Sequence, residues 1–293
     1  MQRVLADLVE LLALERLDRD LFRGRSQDLG WGAIFGGQVL GQALSAAAQT
    51  VPTGRDGGSP GRPVHSVHGY FMRAGDLRRP ILYQVDRLRD GGSFTTRRVV
   101  AVQEGEAIFS LSASFQVVEE GFDHQATAPV VPAPETLQSE REIAVALTAS
   151  LPDEIRAMAT RERPIEIRPV EVKNPLHPSP SAPQRHMWYR AIDRLPDDPA
   201  LHRYLLAYAS DFSFLGTALD PHGVSSFTPS MQVASLDHVM WFHRPFRCDE
   251  WLLYAVDSPS ASGARGLVRG QFFDREGRLV ASCAQEGLIR KRR

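Results

Sequence analysis

From residue 33 to residue 50 nearly every position is apolar or small, so this stretch has no polar face. A helix of that kind is surrounded by protein rather than laid on a surface, and the pattern predicts a central helix at FGGQVLGQALSAAAQ. Downstream the period changes. HSVHGYFMR, ILYQVDRLRDGG, FTTRRVVAVQEG and AIFSLSASFQ carry the short alternating runs and turn residues of strands. The same order then recurs as a helix at YLLAYASDFSFLGTAL followed by strands at SLDHVMWFHRP, WLLYAVDSPSASG, RGLVRGQFFDREG and RLVASCAQEG. His68 matches His238, and Ser112 matches Ser282 at the same spacing. A helix followed by antiparallel strands, met twice, predicts an α+β chain made of two copies of one unit.

Ten of the 20 prolines fall between Pro129 and Pro183. Such density resists long regular elements. The chain is therefore divided into an N-terminal repeat at 1–120, a Pro-rich connector at 121–186 and a C-terminal repeat at 187–293. The connector is expected to hold one helix near 137–160 and one strand at IEIRPVEV. PTGRDGGSPGRP, at 52–63, reads as a loop. At the start, Val4, Leu5, Leu8, Leu11, Leu12 and Leu14 fit one face of an amphipathic helix. Asp7, Glu10 and Glu15 interrupt the apolar core that a signal peptide needs.

Composition changes this picture little and mainly excludes. The 293 residues carry a formal charge of −1, with 43% apolar and 24% charged positions. The single compact basic run is the terminal RKRR, so no nucleic-acid partner is expected. No apolar run reaches the roughly 18 residues of a membrane span. Cys248 and Cys283 are the only cysteines, which argues against a disulfide framework and for a reducing compartment, with the cytoplasm as the expected location.

Asp211 is the anomaly of the second helix. It shares a stripe with Tyr204, Ala207, Tyr208, Phe214, Leu215 and Ala218 and so reads as a carboxylate in the middle of a buried helix. A buried charge is costly unless paired or hydrogen-bonded. Asp211 is either a structural acid with a basic partner or a charge with a function. Gln285 falls in strand phase with Leu279, Ala281 and Cys283 and also points inward. The first repeat is a control: Phe115 stands where Gln285 does, His65 where Ser235 does, and residues 30–51 contain no acid. The asymmetry predicts one polar site per chain. Asp237 and His238, adjacent on a strand, face opposite ways and make a poor dyad, so His238 reads as a structural hydrogen bonder. His238 and His243 lack a nearby third ligand, and no metal is expected. GGSPG at 57–61 matches a nucleophile-elbow pattern around Ser59, but Pro60 lacks the N–H that an oxyanion hole would need.

GGQVLGQAL, HSVHGYFMRAGD, YASDF, DHVMWFHRPF, EWLLY, SPSASGARGLVRGQ and LVASCAQEG together closely resemble the bacterial acyl-CoA thioesterase II family, whose human relatives include peroxisomal enzymes. The resemblance runs from about residue 10 to residue 290. It implies a double hotdog, in which two curled antiparallel sheets each wrap a helix, and hydrolysis of fatty acyl-CoA to free acid and coenzyme A without a metal or organic cofactor. The family holds a water with an Asp, a Thr and a Gln. Asp211 in YASDF matches the Asp and Gln285 in VASCAQEG the Gln, while Ser235 in ASLDH stands where the family has Thr. The chain ends in KRR, without the peroxisomal SKL address. On this footing Asp211 is the general base, and Ser235 and Gln285 orient the water. Backbone N–H groups near Gly36 and Gly37 are expected to hold the thioester oxygen, and Arg265 and Arg269 to bind the phosphates of coenzyme A. Sheet edges point to a homo-oligomer. The competing expectations are a hotdog hydratase, which needs a converging His and carboxylate, and a non-catalytic acyl-CoA binding protein.

Overall fold

The computed structural model describes residues 1–30, 32–52, 61–149 and 153–292. The first half contains α1 (Arg3–Leu12), β1 (Glu15–Asp18), β2 (Leu21–Gly24), α2 (Gly36–Ala48), β3 (Val64–Phe71), β4 (Ile81–Asp90), β5 (Phe94–Gln103) and β6 (Glu106–Gln116). Then come α3 (Glu140–Thr148), α4 (Asp153–Ala159), β7 (Ile165–Pro169), β8 (Gln184–Ala191) and α5 (Pro199–Ser210). The chain closes with β9 (Met231–Ser235), β10 (Asp237–Phe242), β11 (Leu252–Ser262), β12 (Arg265–Phe273) and β13 (Leu279–Lys291).

All strands join one sheet in the order β1-β2-β4-β5-β6-β3-β10-β13-β12-β11-β8-β7, with β9 on β13. The order is a palindrome about the β3–β10 pair, where Gly69 faces His238 and His68 faces Val239. The repeated unit is therefore larger than the sequence suggested: β1 and β2 correspond to β7 and β8. A division at 187 cuts β8 in two, and the strand expected in the connector is the edge strand β7 of the second half. The helix expected near 137–160 is two helices, α3 and α4. Ser139 opens α3 with a capping box, its hydroxyl accepting from Glu142 N–H while Ser139 N–H donates to the Glu142 carboxylate. The GGSPG pattern and Ser59 lie outside the described residues.

Each half curls around its helix because one face of each strand is apolar. β4, for example, buries Ile81, Tyr83 and Val85 at alternate positions. α2 is buried on nearly all sides and packs against β3–β6 and α5. Its approach to α5 depends on glycine: a Cβ at Gly37 would stand 2.3 Å from Tyr208 O, and one at Gly41 3.0 Å from Tyr204 O. The connector covers the outer face of the second half. There Trp188, Trp251, Leu253, Phe273 and Leu279 form a second apolar cluster beneath Ala128, Val131 and Leu137. No helix among the described residues is long and apolar enough to cross a membrane.

Candidate active site

α5 begins cleanly, with the Asp198 side chain accepting from Ala200 N–H and Pro199 at the first turn. It does not run through Asp211 as expected. The helix ends at Ser210, Asp211 is its C-terminal cap, and Ser213 takes a left-handed backbone with φ 57°. Two tyrosines of the sheet explain the stop. Tyr254 donates its hydroxyl to Ser210 O at 3.0 Å, and Tyr189 donates to Phe212 O at 2.9 Å. The first satisfies a carbonyl that the helix end leaves open, and the second ties down the turn that follows. Asp211 thus projects from a helix end rather than from a helix flank.

What it meets is the start of α2 from the other repeat. Gly37 N–H lies close enough to the Asp211 carboxylate to hold its pKa down. A Cβ at Gly36 would lie 2.8 Å from Asp211 Oδ2 and 3.0 Å from the Phe71 ring. A helix N-terminus favours negative charge through its free N–H groups and its dipole. Asp211 keeps some accessible surface, yet protein encloses the carboxylate densely enough that burial raises its pKa. The His238 imidazole, the Gln285 side chain and the Gly37 N–H oppose that rise. Among the described residues no lysine or arginine figures in these influences, an arrangement that favours a functional charge over the arginine-paired structural acid that the pattern also allowed.

Gln285 and Ser235 arrive by different routes. Gln285, on β13, is 1% exposed, and its side chain favours the ionised form of Asp211. Its Nε2 also donates to Ser235 Oγ. Ser235 ends β9, and β10 begins two residues later. The sequence suggested one strand here; the structure breaks it at Leu236, whose N–H donates to Glu286 O and whose carbonyl accepts from Phe71 N–H. Residues 235 and 238 would face opposite ways on an uninterrupted strand. The break lets both reach Gln285: His238 Nδ1 lies 2.9 Å from Gln285 Oε1, and His238 Nε2 2.9 Å from Ser210 Oγ. The structure therefore brings Asp211, Ser235, Gln285 and Gly37 together and adds His238 and Ser210, which sequence reasoning did not place there. The signal for His238 was its strand phase with the buried Met240 and Phe242.

Gly37 N–H lies against Asp211, which leaves Gly36 as the glycine of that pair whose N–H can serve a thioester oxygen. Arg265 and Arg269 do not join the group. On β12 they alternate with the inward Gly266, Val268 and Gly270 and point to the outer face. There Arg265 pairs with Glu286 at 2.9 Å and Arg269 with Asp257 at 2.5 Å. Arg269→Ala is accordingly expected to leave KM for an acyl-CoA within about twofold of wild type, because an exposed ion pair is worth well under 1 kcal/mol; steady-state kinetics read this.

The related position in the first repeat is closed. Phe115 is buried, His65 is hydrogen-bonded to Ser114, and the fully buried Arg97 donates to Thr50 just past the end of α2. Thiol chemistry is also disfavoured in the second repeat. Cys283 is buried, and burial pushes its pKa up to about 12; the thiolate, not the thiol, is the nucleophile. Among the described residues no group of three or more His, Cys, Asp or Glu is placed to hold a metal ion.

Two curled antiparallel units, fused through β3 and β10 with their helices side by side, define a double-hotdog protein. Residues 155–288 match the family model described as acyl-CoA thioesterase, and residues 25–116 match the acyl-CoA thioesterase N-terminal domain. The chain is 42% identical to acyl-CoA thioesterase 2 of Haemophilus influenzae over 99% of both chains. It is 44% identical to human acyl-coenzyme A thioesterase 8, over 96% of this chain and 88% of that protein. A crystal structure of an acyl-CoA thioesterase II from Mycobacterium marinum superposes with a TM-score of 0.77 at 42% identity, covering 97% of each chain. The chain belongs to the acyl-CoA thioesterase family.

Proposed function

We propose that this protein hydrolyses fatty acyl-CoA thioesters with a water held by Asp211, Ser235 and Gln285. The observation that carries the reading is one amide group: the Gln285 NH2 donates to the Ser235 hydroxyl, and the same side chain lies close enough to Asp211 to hold its pKa down. Ser235 Oγ accepts from Gln285, so its own proton is free to be donated to a water. Asp211 accepts a proton from that water as the oxygen attacks the thioester carbon. A base of this kind contributes on the order of 10²–10⁴-fold. Charge on the thioester oxygen would be met by Gly36 N–H at the start of α2. The carbon–sulfur bond then breaks. A thiol with pKa near 8.5 leaves readily as the thiolate, so the step needs no strong general acid, and the proton on Asp211 balances the departing sulfur. Phe35, Phe71 and Phe212 supply the apolar surroundings, Phe35 and Phe212 stacking with centroids 4.4 Å apart.

Thiol release followed with a colour reagent across a panel of acyl-CoA chain lengths tests this directly. Release is expected; tight binding without release would favour an acyl-CoA binding protein. A hydratase also needs a histidine and a carboxylate facing the substrate, and His238 and Asp211 do share Gln285. Yet His238 is fully buried and both of its ring nitrogens are engaged, so it has nothing to offer a substrate. Ser235→Ala is expected to lower kcat about tenfold, the worth of roughly one hydrogen bond. Ser235→Thr keeps the hydroxyl and is expected to hold or raise activity; a fall with Thr would mean that the site is shaped for Ser. The proposal includes a cytoplasmic location, in keeping with two free buried cysteines, and a homo-oligomer, since β1 and β7 are edges of the sheet.

A further inference from the structure

His238 takes no part in the water-activating set, yet it stands directly behind it, and the direction of its hydrogen bond to Gln285 follows from chemistry. An ionised carboxylate only accepts, so Gln285 must meet Asp211 with its NH2 group. The same NH2 donates to Ser235. Gln285 Oε1 is thereby turned to His238 Nδ1 at 2.9 Å. An amide oxygen also only accepts, so Nδ1 carries the proton. Burial lowers the pKa of the ring, although the Asp211 charge opposes this. Nε2 lies 2.9 Å from the Ser210 hydroxyl, whose one proton is shared between the ring and Ala207 O, also 2.9 Å away.

We infer that His238 is a positioning residue for hydrolysis, whose Nδ1–H holds the Gln285 amide with its NH2 toward Asp211 and Ser235. The inference rests on the reading of the site given above. Turned over by half a rotation, the amide would set its oxygen against a carboxylate and its NH2 against the Nδ1–H. Both contacts are repulsive, and the ring is locked by Ser210 and by Phe214, whose centroid lies 5.7 Å from the imidazole. The amide orientation decides the roles beyond it. With NH2 forward, Ser235 accepts from Gln285 and points its proton away toward a water. With oxygen forward, Ser235 would spend that proton on Gln285, and Asp211 would lose a donor.

The test uses the full-length protein and one acyl-CoA that the wild type hydrolyses. His238→Leu is expected to lower kcat at least about tenfold with KM changed less than about threefold, the pattern of an interaction lost at the chemical step. His238→Asn can place an amide N–H near the position of Nδ1 and is expected to recover most of that loss. In a Gln285→Ala background His238→Leu is expected to cost less than about twofold more, because residues that act through one another are not additive. Equal losses in Leu and Asn that follow unfolding temperature, or losses that multiply with Gln285→Ala, would overturn the inference. A measurement independent of folding is the nitrogen-15 spectrum of the wild type, with the His238 signal assigned by its loss in His238→Asn. A proton on Nδ1 is expected, and a proton on Nε2 alone overturns the inference. Failure of the site itself looks different: Gln285→Ala and Asp211→Asn would then keep wild-type turnover.

Discussion

Asp211→Asn is expected to lower kcat by at least about 10²-fold, the contribution of a positioned base, while the unfolding temperature stays within about 4 °C of wild type. The substitution keeps the shape of the side chain and an oxygen to accept from Gly37, but removes the proton acceptor. Stability is not expected to suffer. Burial raises the pKa of Asp211, so the folded protein binds that proton more tightly than the unfolded chain does. Such a group stabilises the fold at low pH, and that contribution is lost as pH rises through the folded pKa. At neutral pH its ionisation is a cost, which asparagine does not carry. The same shift fixes the pH profile. The base must be ionised, so kcat of the wild type falls on acidification with a midpoint above the ordinary carboxylate range, and this acid limb disappears from the residual activity of Asp211→Asn. Thiol-release rates between pH 4 and 8 check it. A variant that turns over within about threefold of wild type removes Asp211 from the role of base.

The parts of this protein that could be read from its sequence are those specified locally. The all-round small residues of α2 give a central helix, and the alternation in β4 or the apolar phase of Leu279, Ala281, Cys283 and Gln285 in β13 gives strands and an inward glutamine. Features that depend on distant partners were not legible. β1 and β7 are only four and five residues long and exist because neighbouring strands pair with them. The end of α5 is set by hydroxyls of Tyr189 and Tyr254, one upstream of it and one downstream. The break at Leu236 depends on Phe71 and Glu286. On β12 the inward positions include Gly266 and Gly270, which hide the apolar alternation and so the outward face of Arg265 and Arg269. Those glycines leave room for Ala218 and Tyr254, whose atoms would lie 2.6 and 2.3 Å from an added Cβ. Asp211, Ser235 and Gln285 are singled out by resemblance and phase together. His238 was seen but not placed, because its value depends on what Gln285 does with its other end.

Gly37→Ala carries the second large effect, and it sets two opposed terms against each other. Alanine is the better helix former by about 1 kcal/mol, and replacing glycine also reduces the freedom of the unfolded chain. Against this, the new Cβ would stand 2.3 Å from Tyr208 O and 2.6 Å from the Phe35 ring. The ring can move, but the carbonyl belongs to the backbone of α5, so the two helices must separate. Overpacking of a well-filled core costs about 1–3 kcal/mol, enough to outweigh the propensity gain. The displacement acts where Gly37 N–H meets Asp211, at the end of the same helix that carries the Tyr208 carbonyl. Thermal unfolding is expected to shift downward and kcat to fall at least about 10²-fold, since a misplacement of about 1 Å at a reacting centre has that effect. Gly41→Ala is the companion measurement. Its Cβ would meet Tyr204 O at the milder distance of 3.0 Å, one turn further from the site. It is expected to shift unfolding in the same direction with a smaller loss of kcat. Wild-type turnover in Gly37→Ala would show that the close crossing of α2 and α5 holds the fold without holding the carboxylate, and would separate the architecture from the chemistry assigned to it.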